Sequence, residues 1–143
     1  MAMKSMEEAN FRLKLANGYV QEAKRVFEAS PSRACVGSCQ LAVENACNAV
    51  IALFKPPVRG HDLSGLLLDL STEKEFTQEE MAGIEKLADW ARILGLEEHI
   101  FTDYGDELTH KSPWEVYKEE HARRVLGIGT WAVKIAEGIV QSR

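Results

Sequence analysis

Apolar residues recur at three- and four-residue steps through most of the 143-residue chain, a spacing that places them on one side of an α-helix. The first such stretch predicts a helix from about Met6 to Ala29, with Leu13, Ala16, Val20, Ala23 and Phe27 as its buried stripe. Lys14, Gln21, Lys24 and Arg25 fall mainly off that stripe. Ser30-Pro31 ends it, because proline disfavours helix at the residue before it and suits the first turn of the next. Ser30 then serves as N-cap of a second helix, about Pro31 to Phe54, which Pro56-Pro57 terminates. The segment from Cys39 to Lys55 is apolar on nearly every side, yet holds Glu44, Asn45 and Asn48. A helix apolar all round belongs at the centre of a bundle. Polar groups there need partners, since an unpaired buried one costs ~1–3 kcal/mol.

A loop with Gly60 leads to His61-Asp-Leu-Ser-Gly-Leu-Leu-Leu-Asp-Leu70, a brief third helix with Leu63, Leu66, Leu67 and Leu70 inward. Thr77 and Glu80 have capping-box spacing and open a fourth helix carrying Met81, Ile84, Leu87, Ala88 and Ala91, which continues or bends around Gly95 toward Phe101. Asp103, Gly105, Asp106 and Pro113 mark the loop that follows. Ser112-Pro-Trp-Glu115 repeats the capping-box pattern with proline at the first helical position. It either starts the last helix or caps a single turn before a restart near Lys118. Ala122, Val125, Gly129, Ala132, Ala136 and Ile139 then form a stripe small enough for close helix approach. No sustained two-residue alternation occurs. The expected fold is all-α: an antiparallel up-and-down helical bundle of four long helices plus one short helix, over residues 1–143 as one domain.

Composition narrows the function classes. Apolar residues make up 45% and charged residues 27%, as in an ordinary globular chain. The net charge of −5 weakens any case for non-specific nucleic-acid binding, which needs a basic surface. Charge and amide interrupt the longest apolar runs, so no membrane span is expected, and the first residues lack the apolar core of a secretory signal. A cytoplasmic location is the corresponding expectation. Cys35, Cys39 and Cys47 all fall in the second helix. An intrahelical disulfide has poor geometry, and zinc needs a fourth ligand and a knuckle. The cysteines are expected to be small apolar filling.

Several stretches, in their order, resemble the HEPN domain, a helical family of higher eukaryotes and prokaryotes. They are AKRVFEASPSRACVGSCQLAVENACNAVIALF, with Ala42-Val-Glu44, Asn45 and Asn48; GHDLSGLLLDL, with His61-Asp62-Leu63; and YGDEL through SPWEVYKEEHARRVLGIGTWAVKIAEGI. The resemblance covers nearly the whole chain. It implies a cytoplasmic homodimer. Some members are thought to bind nucleotides, often beside a nucleotidyltransferase partner. Others are toxins of toxin–antitoxin pairs that cleave RNA without a metal. The ribonuclease pattern is an arginine, four to six residues, then a histidine.

Arg92-Ile-Leu-Gly-Leu-Glu-Glu-His99 fits that spacing. On a continuous helix the two side chains would share a face about 10.5 Å apart. His99 would then be general base or acid for attack by a ribose 2′-hydroxyl, and Arg92 would stabilise the phosphate charge. Against this, Ile93 stands where the toxin motif usually has a polar residue, and Glu97 and Glu98 disfavour a phosphate. The later loop has Thr102-Asp103-Tyr104-Gly105 where non-toxin members carry an Arg-Tyr-Pro-like segment.

His61 is expected to cap or pack at a helix start. His110 and His121, near Asp106, Glu107 and Glu120, match no metal-ligand spacing, so no metal is expected. Glu44 is expected to pair with a cation of the first helix or of a dimer mate, and Trp90, Trp114 and Trp131 to anchor packing. Two readings stand. One is a HEPN-like dimer that binds a nucleotide or regulates a partner such as a nucleotidyltransferase, with no cofactor beyond a nucleotide ligand. The other is a metal-independent ribonuclease toxin with an antitoxin partner, using Arg92 and His99 and acting on RNA.

Overall fold

The computed structural model describes residues 3–30, 33–57, 63–95 and 104–143. Within them the helices are α1 (Met3–Ala29), α2 (Arg33–Ala52), α3 (Leu63–Glu73), α4 (Gln78–Ile93), α5 (Pro113–Val116) and α6 (Glu119–Gln141). The sole extended pairing among the described residues is an isolated bridge between Asp106 and Lys111. The fold is an all-α bundle.

The apolar surround of the second helix has the consequence expected of it. Fifteen of the 20 residues of α2 are buried, and α1, α3, α4 and α6 all pack on it. Ala9, Leu13, Ala16, Val20 and Ala23 of α1 are buried against the core. The small-residue stripe of α6 is buried along its whole length. At Gly129 the reason for small residues is explicit: an added Cβ would stand 3.4 Å from Cys39 Sγ and 3.7 Å from Val20 Cγ2. α1, α2 and α6 therefore meet where α6 has no side chain.

Local signals place the helix ends. The Thr77 hydroxyl accepts the Glu80 N–H at 3.1 Å, and Glu80 Oε1 accepts the Thr77 N–H at 2.9 Å, so both halves of the capping box form. At Ser112 the backbone N–H donates to Glu115 Oε1 at 3.2 Å. That turn lasts only four residues. Tyr117 and Lys118 are extended, and α6 restarts at Glu119. Gly105 has φ 73°, in the left-handed region. A side chain there would collide with the backbone of Lys111 and Ser112.

One expectation about large side chains fails in part, and Met81 of α4 is exposed. Trp114 and Trp131 are 65% and 59% exposed, so neither is a core anchor, whereas Trp90 is half-buried against the core. The helical period says which residues share a face; whether a neighbour covers that face depends on where the other helices lie.

Candidate functional site

Arg92 lies in the last turn of α4, its side chain 64% exposed. Its Nη2 donates to Asp89 Oδ1 at 2.7 Å, one turn back on the same helix. α4 ends at Ile93, where the Leu94 N–H closes back onto Trp90 and Arg92 carbonyls. His99 lies outside the described residues, as do the stretch toward Phe101 and the His61-Asp62 pair. Among the described residues, Arg92 is thus an exposed cation with an acidic neighbour.

The remaining histidines sit apart. His110 is exposed, at φ 57°, in the turn closed by the Asp106–Lys111 bridge. Asp106 accepts the N–H groups of Leu108 and Thr109 at 3.1 and 3.3 Å. Hydrogen bonds from Thr109, then from Leu108, hold the Asp106 carboxyl below its ordinary range. His121 stacks at a tilt on Tyr117, ring centroids 5.0 Å apart. No group of three or more His, Cys, Asp or Glu among the described residues could hold a metal ion.

Two polar residues of α2 hydrogen-bond inside the bundle. Asn45 Nδ2 donates to the Leu41 carbonyl at 2.9 Å, and Ser38 Oγ donates to Glu22 Oε1 of α1, also at 2.9 Å. The cation partner expected for Glu44 does not appear: this half-buried carboxylate makes no ion pair with a described residue of its own chain. Cys47 is buried, and burial followed by the Glu44 charge pushes its thiol up to about 12. Sharing a hydrogen bond with Cys35 raises the Cys39 thiol and lowers that of Cys35. All three cysteines are free and buried.

A concavity among the described residues lies elsewhere. A groove of about 870 Å³ runs between the start of α4 and the last three turns of α6. Phe76, Gly83, Trp131, Ile135, Gly138 and Ile139 give it an apolar floor. Gly83 lets the two helices close up, since a Cβ there would lie 2.8 Å from Ile135 Cγ2. At Gly138 nothing lies within 4 Å of an added Cβ, so the groove is open there.

Its cations are engaged. Arg143 lies 4.8 Å over the Phe76 ring and pairs with Glu80 at 3.4 Å, and Lys134 Nζ lies 5.2 Å over the Trp131 ring. Glu75 and Glu79 line the groove too; both are exposed, and neither carboxylate forms an ion pair with a described residue. Sequence reasoning missed this groove. A signal existed: Trp131 falls two residues after Gly129, roughly opposite the small-residue stripe at ~100° per residue.

The family model of the HEPN domain matches residues 9–139. The chain belongs to the HEPN domain family. Among solved structures, this HEPN chain is similar to TT1696 from Thermus thermophilus, with 17% identity and a TM-score of 0.64 over 92% of this chain and 97% of that one. At that identity the likeness concerns the fold. No curated protein matches the sequence. Among the described residues no helix is long and apolar enough to cross a membrane.

Proposed function

We propose that this HEPN chain is a non-catalytic interaction module, acting as a homodimer that binds and regulates a separately encoded partner. The observation that carries the reading is the groove between α4 and α6, with Trp131 exposed beside it. Aromatic side chains are enriched at binding surfaces, where they serve as anchors. A nucleotidyltransferase is the partner class that the family suggests. Light scattering should give twice the monomer mass, and co-expression with such a partner should yield a complex that survives gel filtration. A monomer that ignores its partner would end this reading.

Nucleotide binding is a second form of the same reading. It draws on the Trp131 ring beside Lys134, a pairing that could stack a base and meet a phosphate. A thermal-shift panel of nucleotides tests it, because a ligand that binds only the folded state raises the melting temperature.

The ribonuclease reading draws on the exposure of Arg92, whose guanidinium a phosphate would have to draw away from Asp89. Its chemistry would need His99 as the proton-transfer group. Expression should then arrest growth, and His99→Ala should relieve the arrest. Equal harmlessness of the two proteins, with no RNA cleaved, would remove it.

A further inference from the structure

We infer that the α4–α6 groove seats an amphipathic helix of a partner protein, with an apolar stripe toward the floor and Lys or Arg along the edge beside α4. This rests on the interaction-module reading and names the chemistry of its partner.

Shape points to a helix. Two neighbouring helices with a gap between them offer a seat to a third, and side chains of the third fill holes where the first two are small. Gly138 leaves one point of the α6 wall without a side chain, with nothing within 4 Å of an added Cβ. From Trp131 to Ser142 the α6 wall runs about 16 Å, the length of roughly eleven helical residues. Trp131 stands at one end, exposed and ready to lose its water. Aromatic anchors of this kind carry a large share of interface energy.

Charge points to a basic edge. Arg143 is held by Glu80 and the Phe76 ring, and Lys134 lies on Trp131. Lys134 keeps its charge on the α6 side, whereas on the α4 side the charges without an ion pair are the carboxylates of Glu75 and Glu79. They favour a cationic helix. They disfavour phosphates on the α4 side, which leaves a nucleotide only the Lys134 side of the groove. The amide-rich start of α4, which could otherwise draw a phosphate, already holds the Glu80 carboxylate. A second copy of this chain is a poorer match, because its net charge is −5.

The probe is a pair of synthetic stapled helices of about twelve residues. Both carry leucines at i, i+3, i+4 and i+7; one is flanked by lysines and the other by glutamates. Binding of fluorescein-labelled peptide is read by anisotropy. The lysine helix should bind about tenfold more tightly than the glutamate helix. Trp131→Ala should weaken it by ~30-fold while the circular-dichroism spectrum stays unchanged. The double charge reversal Glu75→Lys, Glu79→Lys should invert the preference between the two peptides.

Equal binding of both peptides, indifference to Trp131→Ala, or affinity weaker than about 1 mM would overturn the inference. Displacement of the lysine peptide by ATP, together with Trp131 quenching by ATP alone, would assign the groove to a nucleotide instead. Loss of peptide binding on self-association would assign it to a second copy. If the peptide fails while the homodimer still captures its separately encoded partner, the groove inference falls and the module reading survives. If neither happens, both fall.

Discussion

The Ser142 hydroxyl donates to Glu80 Oε2 at 2.7 Å, so the end of α6 is tied to the start of α4. The other carboxylate oxygen of Glu80 caps the Thr77 N–H. One side chain thus closes a helix terminus and fixes the end of the groove. Burial alone would raise the Glu80 carboxyl, but the Thr77 N–H, the Ser142 hydroxyl and Arg143 outweigh it and hold it below 4.5. A carboxyl depressed by folding stabilises the protein above its unfolded value, and that contribution fades as pH falls through the folded value. Glu80→Gln keeps an acceptor for the Thr77 N–H but removes the charge that Arg143 and the start of α4 favour, so it should cost ~0.3–1 kcal/mol at neutral pH. The gap between wild type and variant in urea unfolding should narrow as the pH drops below 4.5. A gap that stays constant into acid would show that the charge of Glu80 contributes nothing.

Two glycines of the same helix should respond in opposite directions. Gly127 has nothing within 4 Å of an added Cβ. Gly127→Ala should stabilise the protein by up to ~1 kcal/mol through helix propensity. Gly129 faces Cys39 and Val20 at contact distance. Gly129→Leu should destabilise by ~1–3 kcal/mol, the usual cost of overpacking a core. Urea midpoints of the two variants, measured side by side, check both.

The cysteines should be chemically silent in the folded chain. All three are fully buried, and the Cys47 thiol is pushed up to about 12. The thiolate is the reactive form, so Cys47 lacks both access and ionisation. A thiol reagent such as dithiobisnitrobenzoate should leave the native protein unlabelled and titrate three thiols after unfolding. Rapid labelling of the native protein would show that α2 is not enclosed by its neighbours.

Arg92→Ala should change stability by less than ~0.5 kcal/mol, because its pair with Asp89 is exposed at both ends. Any effect of that substitution on growth or on RNA then reports function rather than folding. A large drop in melting temperature would mean that Arg92 has a structural partner beyond Asp89.

Much of this architecture is written in local chemistry. The capping residues Thr77 and Glu80, the proline at residue 113 and the three- and four-residue steps of apolar side chains act within one helical turn, so they can be read without a fold. The centrality of α2 was legible for a related reason: a helix apolar on all sides has no stable place except among other helices. The small stripe of α6 likewise announced a close neighbour, and Gly129 against Cys39 supplies it. From the residues alone most of the helices, several of their ends and the central place of α2 could be read, but not whether Ser112 opens the last helix or caps the single turn it does. The placement of the other helices is what made a groove beside Trp131 and left Glu44 without an ion pair among the described residues of its own chain. Periodicity assigns a residue to a face of its helix, but only the placement of neighbouring helices decides whether that face meets protein or water.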